Sequence, residues 1–353
     1  MPKTRVLVIE DSLTVRMRLV EVLAADPDLE VVGEAGDGVR GLALCRALRP
    51  DVVTLDMMLP VMNGAETTEQ IMAHCPTPIL IVSASHNRGE LLRTYQALAA
   101  GALDALDKPT GDERDDEWER RLVATVKLLA RIKVITHVRG RRARAPSPEP
   151  SAEPSPPRTS TPPRAVAIGA STGGPPALVE LLGALTDIAV PILVVLHLGT
   201  PFAPAFAEWL AGHIDLPVAY ARDGEPLPEP GLGRVVLAPP DLHLVVHAGR
   251  LHLTADPPRH HCRPSVDVLF ESIARALGPA CAAALLTGMG KDGAAGLLAI
   301  RRAGGRTVAQ DEATSTVFGM PKEAIALGAA EHVLPLARIA AQLAGWTRPG
   351  RSP

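Results

Sequence analysis

Residues 137–164, HVRGRRARAPSPEPSAEPSPPRTSTPPR, hold almost no large apolar side chain, and this limits the fold more than any other feature. Such a stretch cannot bury enough surface to offset the entropy of ordering it, so it reads as an extended, partly stiff linker. It divides the 353-residue chain into 1–136 and 165–347, each long enough for its own core, with 348–353 as a disordered tail. Apolar residues make up 46% of the chain and aromatics only 3%, so both cores must be built from Leu, Val, Ile and Ala. A net charge of -3 gives no electrostatic case for nucleic acid as a partner. Cys45, Cys75, Cys262 and Cys281 stand far apart without C-x-x-C spacing and suit a reducing compartment. With no signal-like N-terminus and no apolar run of bilayer length, direct membrane insertion is not expected and a cytoplasmic location is.

The first segment alternates strand-like runs (RVLVIE, VVGEAG, DVVTLD, PILIVSA, ALDAL) with helical patterns. That order predicts a doubly wound five-stranded parallel sheet, whose ligands sit at the carboxyl ends of its strands. Glu10, Asp11, Asp56, Ser83 and Lys108 all fall at those ends. Three carboxylates on one rim repel each other unless a hard cation binds among them, and Mg2+ is the natural candidate. A lysine and a hydroxyl nearby would then stabilise the oxygens of a phosphoryl group on Asp56.

In the second segment AVAIGASTGGPP breaks from a strand at Gly169, presents Ser171 between glycines, and feeds a helical pattern. This is the context in which G-x-S-x-G raises a nucleophilic serine, although similar small-residue turns also bind phosphate or nothing. PILVVLHL is a second buried strand ending at His197, and a right-handed crossover puts His197 on the same rim as Ser171. LHLVVHAGRLHLT reads as an antiparallel hairpin with His243, His247 and His252 on a solvated face. His260-His261-Cys262 has no matching ligand pair at usable spacing and is not read as a metal site. RPSVDVLFESIARAL is a helix with Ser265 as N-cap and Asp267 in its first turn. The strand ACAAALL then enters a loop with two readings. Gly288, Gly290 and Gly293 spell G-x-G-x-x-G, with Asp311 and Glu312 further on, as in an NAD-binding turn. Asp292 would repel a pyrophosphate there, and it suits instead a triad with Ser171 and His197. The expected fold is a doubly wound, mostly parallel sheet carrying the hairpin.

Asp56 to Gly64 (DMMLPVMNG), the Glu10-Asp11 pair and Lys108-Pro109 resemble the receiver domain of bacterial response regulators. The resemblance implies phosphoryl transfer to Asp56 from a sensor histidine kinase and Mg2+ held by Asp11, Asp56 and the Met58 carbonyl, with Glu10 assisting. It further implies switching through Ser83 and Lys108 and a cis bond before Pro109, while the family's aromatic residue is missing from Asp104–Asp107. Ile168–Gly174, His197, Arg263–Phe270, Leu286–Gly293 and Gln310–Glu323 resemble the protein-glutamate methylesterases of bacterial chemotaxis, the CheB family. This second resemblance implies hydrolysis of γ-glutamyl methyl esters on the cytoplasmic part of methyl-accepting chemoreceptors, release of methanol, and deamidation of receptor glutamines. It places the triad at Ser171, His197 and Asp292 and an oxyanion donor at the Met289 amide; the Thr172 amide is a second expected donor, and no cofactor is expected in the catalytic segment. The unphosphorylated receiver is expected to cover the Ser171 rim. A phosphorylated but catalytically inert adaptor remains an alternative.

Overall fold

The computed structural model describes residues 2–84, 88–108, 115–132, 134, 161–186, 188–231 and 233–347. Most of the expected linker, the 348–353 tail and the peptide bond before Pro109 lie outside the described residues.

In the first segment β1 (Thr4–Ile9), β2 (Leu29–Ala35), β3 (Val52–Leu55), β4 (Ile79–Ser83) and β5 (Asp104–Asp107) form one sheet in the order β2-β1-β3-β4-β5. Every pairing is parallel. The crossovers are α1 (Leu13–Ala25), α2 (Gly38–Leu48), α3 (Gly64–His74) and α4 (Arg88–Ala100), and α5 (Asp115–Leu129) closes the segment. β3 and β4 are buried at every position, because helices cover both faces of the sheet. Asn63 and Glu66 form a capping box at the start of α3. A β-carbon on Gly64 would stand 2.4 Å from the Asp56 carbonyl oxygen, so glycine is required for α3 to start against the third strand end. Ser12 takes the N-cap position of α1 without capping through its side chain; its amide donates instead to Glu10 Oε1 at 3.2 Å.

The second segment is built on a seven-stranded parallel sheet. Its elements are β6 (Ala165–Ala170), α6 (Gly174–Gly183), β7 (Ile192–Leu196), α7 (Ala203–Ala211), β8 (Val218–Tyr220) and β9 (Val235–Leu237). After the hairpin β10 (His243–His247) and β11 (Arg250–Thr254) come α8 (Val266–Leu277), β12 (Cys281–Leu285), α9 (Ala294–Arg302) and β13 (Arg306–Gln310). α10 (Met320–Ala326), β14 (His332–Leu334) and α11 (Leu336–Thr347) complete it. The strand order is β14-β13-β12-β6-β7-β9-β8, and the hairpin forms a separate two-stranded sheet. The chain therefore winds outward from β6 through β7, then returns to the other side at β12. That reversal opens a crevice at the carboxyl ends of β6 and β12, the position where doubly wound sheets bind ligands.

The two segments meet through α4. The Tyr95 ring lies 5.4 Å from Phe206 and 5.2 Å from Trp209, and its hydroxyl donates to the Phe202 carbonyl at 2.6 Å. In a chain with only 2 Tyr, 4 Phe and 3 Trp, three rings meeting at one seam make it a specific contact. Arg88 pairs with Glu208 beside it.

Candidate active site and phosphoacceptor pocket

Two backbone hydrogen bonds and a left-handed glycine shape the turn after β6. The Ser171 amide donates to Thr287 O at 3.0 Å, and Gly174 N donates back to Ser171 O at 2.6 Å. Gly173 has φ 76°, and a β-carbon there would lie 2.4 Å from Thr316. The loop after β12 closes on the same turn, since a β-carbon on Gly288 would lie 2.8 Å from Ser171 Cβ and 2.3 Å from Met320 Sδ. Glycine at 288 thus serves close packing beside the serine. The register Ala170↔Leu196, continued by the 3.1 Å bond from His197 N to Ala170 O, makes Ser171 and His197 leave adjacent strand ends side by side.

His197 Nε2 bonds Asp292 Oδ2 at 2.9 Å, and its Nδ1 lies 3.8 Å from Cys262 Sγ. The Asp292 carboxylate also accepts from Ser265 Oγ at 2.7 Å, Val266 N at 2.7 Å and Asp267 N at 3.1 Å. It therefore sits on the positive end of α8. Burial works to raise the Asp292 pKa, but the hydrogen bond and charge of His197, with Ser265 and Asp267, hold it below the usual value. Burial likewise opposes a charge on His197, yet Asp292 and Cys262 outweigh it and push the imidazole up to about 9. Among the described residues Ser171 Oγ makes no hydrogen bond, so the fold assembles the three residues while the serine hydroxyl stays unjoined to the ring. Catalytic hydrogen bonds are commonly long or poorly aligned in ligand-free sites and tighten with substrate bound. The Thr172 and Met289 amides have no partner among the described residues and remain available as donors.

One reading of the sequence needs correction, and the rival reading of the 288–293 loop drops out. His243 is not on a solvated face: it is 1% exposed, because the start of α8 covers that end of β10. Its Nδ1 accepts from the Ser265 amide at 3.1 Å and its Nε2 faces the Pro257 carbonyl at 3.3 Å, so it supports the residue that supports Asp292. His247 is exposed, as expected, whereas His252 is half-buried. Nothing in the period-two pattern distinguishes the first histidine from the others. The dinucleotide reading of Gly288, Gly290 and Gly293 also fails. Asp292 is turned out of that loop onto His197, Ser265 and the first amides of α8, and Asp311 Oδ1 is engaged by Thr314 N at 3.0 Å and Thr314 Oγ1 at 2.6 Å.

Ser265 Oγ has two tasks, donating to Asp292 and accepting from Val268 N at 3.4 Å as the N-cap of α8. Ser265→Ala leaves the carboxylate its amide partners. We expect stability to fall by about 1 kcal/mol through the lost cap. kcat should fall roughly tenfold, the cost of about 1.4 kcal/mol, with KM little changed. Thermal melts and steady-state kinetics check the two effects separately.

At the other rim, Glu10, Asp11 and Asp56 each bring an oxygen within 4.8 Å of the others. Lys108 Nζ approaches Glu10 Oε2 at 2.8 Å and Asp56 Oδ1 at 3.0 Å. Neither buried oxygen accepts a hydrogen bond with good geometry, so both retain lone pairs. Hard, partly orphaned oxygens around one point fit Mg2+. Burial, then the Asp56 charge, pushes Glu10 up to about 7. Burial opposes the Lys108 charge, but Asp56 and Glu10 hold its pKa above the ordinary value. Ser83 Oγ donates to Glu90 Oε1 at 2.6 Å, so its hydroxyl is engaged by α4.

An acidic pocket with its lysine in one doubly wound sheet, and a serine, histidine and aspartate at the switch point of another, define a response regulator whose output module is a hydrolase, with the three residues in a chain order different from that of the α/β-hydrolases. The response regulator receiver domain model matches residues 6–115, and the CheB methylesterase model matches residues 166–343. Protein-glutamate methylesterase/protein-glutamine glutaminase 3 of Anaeromyxobacter dehalogenans is 48% identical, covering 98% of this chain and 99% of its own length. The similarly named proteins of Nitrosospira multiformis (44%; 96% and 95% covered) and Myxococcus xanthus (number 4; 45%; 96% and 96%) are also close relatives. The chain belongs to the CheB methylesterase family.

Proposed function

We propose that this protein is a phosphorylation-activated serine hydrolase that removes γ-methyl esters from glutamates of chemoreceptors and deamidates receptor glutamines at the same site. Residues 1–136 form the receiver and 165–347 the catalytic domain. The observation that carries the reading is the hydrogen-bonded His197–Asp292 pair emerging beside Ser171 at the switch point.

His197 takes the Ser171 proton as Oγ attacks the ester carbonyl. The Met289 and Thr172 amides hold the oxyanion, and the proton returns to the leaving methoxide, giving methanol and an acyl-serine. Water, deprotonated by the same imidazole, then releases the glutamate carboxylate and restores Ser171. With a glutamine side chain the leaving group is ammonia.

In the receiver Asp56 accepts the phosphoryl group from a sensor histidine kinase, with Lys108 beside its oxygens and Ser83 able to reach them once it leaves Glu90. Asp11, Asp56, the Met58 carbonyl and Glu10 would hold Mg2+, whose charge neutralises those oxygens. Among the described residues no helix is long and apolar enough to cross a membrane. A cytoplasmic protein acting on the cytoplasmic part of receptors accords with that.

The receiver lies against the nucleophile turn. Gly173 N points to Leu103 O at 3.4 Å and Thr172 Oγ1 to Asp104 Oδ2 at 3.5 Å, while α4 grips α7 through Tyr95. The contact restrains one proposed oxyanion donor, and release of Ser83 from Glu90 toward a phosphoryl group on Asp56 would loosen α4. Methanol release from methylated receptor, assayed with and without a small-molecule phosphoryl donor, tests this. We expect roughly tenfold activation, the size of a ~1.4 kcal/mol shift between closed and open forms, lost in Asp56→Asn. No methanol under either condition would remove the esterase reading. Equal rates under both would remove the regulatory one.

A further inference from the structure

Cys262 belongs to no sequence motif of the site, yet the fold sets it against the catalytic base. Arg259 and Cys262 form a two-way backbone bridge, with N to O distances of 3.1 and 2.8 Å. His260 and His261 between them have φ of 52° and 63°, the left-handed pair of a type I′ turn. Arg259 ties this turn to Glu271 at 2.8 Å and His260 ties it to Asp267 at 3.2 Å, both on α8. Cys262 is thus carried on a braced tip, half-buried, with Sγ 3.8 Å from His197 Nδ1 and 3.5 Å from the His260 carbonyl.

The two nitrogens of the imidazole have different neighbours. Nε2 faces Asp292 Oδ2 at 2.9 Å, and a carboxylate only accepts, so the neutral ring carries its proton on Nε2 and its lone pair on Nδ1. Cys262 stands at that lone pair. Nucleophile, base and orienting carboxylate therefore occur a second time on one ring, as Cys262, His197 and Asp292, the arrangement that activates a nucleophile. Cys45 and Cys281, by contrast, are buried, and burial pushes their thiols up to about 12. The amides assigned to the oxyanion belong to the turn of Ser171 and to the loop packed on it, so ester chemistry stays with the serine. The thiol is left to electrophiles that need no oxyanion donor and can reach a half-buried sulfur, and hydrogen peroxide is a small one.

We propose that Cys262 is a modification site at which a hydroperoxide oxidises the sulfur to a sulfenic acid, with His197 as the base, and thereby silences that base reversibly. Nδ1 takes the thiol proton as sulfur attacks one peroxide oxygen. The S–O bond forms while the O–O bond breaks, and the proton passes to the departing hydroxide, which leaves as water. Sulfur gives up two electrons and the peroxide gains them. The added oxygen occupies the space beside Nδ1 into which the Ser171 hydroxyl must come, so the modified protein does not turn over. A thiol then displaces the sulfenic hydroxyl as water to give a mixed disulfide, and a second thiol frees Cys262 with release of a disulfide. The inhibition rests on His197 being the base for Ser171, as proposed above; the oxidation itself needs no part of Ser171.

The reduced full chain, in Mg2+ and freed of reductant, is exposed to hydrogen peroxide in the presence of dimedone, which traps sulfenic acids, and labelling is followed at each cysteine by mass spectrometry. We expect Cys262 to be labelled at least about tenfold faster than Cys75, the other half-buried thiol, and His197→Gln to slow Cys262 by about tenfold or more while leaving Cys75 unchanged. In parallel, peroxide without dimedone should stop methanol release, a dithiol should restore it, and Cys262→Ser should keep at least about tenfold more of its own untreated rate than the parent does. Cys262 labelled no faster than Cys75, or at the same rate in a His197→Gln variant whose thermal melt shows it folded, would overturn the site. Labelling of Cys262 with methanol release undiminished would overturn the inhibitory role. If Cys262 is labelled as expected and the untreated chain releases no methanol, the reactive thiol stands and the esterase reading fails.

Discussion

Ser171→Ala is expected to lower methanol release from methylated receptor by about 10⁶-fold, the cost usually seen when a hydrolase loses the serine on which its base and oxyanion donors act. No neighbouring hydroxyl can substitute. Thr172 Oγ1 points to Asp104 at 3.5 Å, and Thr287 Oγ1 is tied to Thr172 O at 3.0 Å. The variant should fold normally, because Ser171 Oγ makes no hydrogen bond among the described residues and the turn is fixed by backbone bonds to Thr287 and Gly174. Phosphorylation of Asp56 should proceed at the parent rate, since that pocket shares no residue with the serine rim. Separate measurements of methanol and of acylphosphate therefore distinguish a lost nucleophile from a damaged protein. Turnover retained within tenfold of the parent would mean that the chemistry lies elsewhere.

The sequence made much of this legible because alternating buried strands and helices leave few alternatives. Once β6, β7 and β12 are adjacent and parallel, Ser171, His197 and Asp292 have to emerge at one edge. The acidic cluster follows from the same rule in the smaller sheet. What sequence could not supply is what comes from packing between distant segments. His243 sits in an alternating hairpin like its neighbours, and only the docking of α8 turns it inward beneath Ser265. Cys262 looks isolated because its partner at 197 is brought in by the sheet. The glycines of the 288–293 loop fit two chemistries until Ser265, Val266 and Asp267 are seen directing a hydroxyl and two amides at Asp292. Tyr95 belonged to no motif, yet it joins the two segments.

Asp292→Asn is expected to cost about 10⁴-fold in kcat at pH 9, the usual effect of denying a catalytic imidazole its carboxylate. The amide keeps the shape of the carboxylate but not its acceptors. Two oxygens now receive from His197 Nε2, Ser265 Oγ and the amides of Val266 and Asp267, whereas asparagine would turn an NH2 group on some of these donors. The ring would then be held with the wrong nitrogen protonated. The same substitution should move the pH profile. Burial lowers the His197 pKa, and it stands at about 9 only because Asp292 and Cys262 more than offset this. The base works only when neutral, so the parent rate should climb from pH 7 and level off above about 9. Without the carboxylate charge the limb should shift down toward the ordinary histidine value of about 6.5. At pH 7 a larger fraction of the variant's imidazole is neutral than of the parent's, which partly offsets the lost orientation. The ratio of parent to variant rates should therefore be smaller at pH 7 than at pH 9. Linkage gives the matching sign for stability: the parent's His197–Asp292 pair contributes fully below about pH 6.5 and is lost as pH rises through about 9, a loss the variant should not show. A limb at the same pH in both proteins would mean that Asp292 does not set the protonation of the base, whatever its effect on rate.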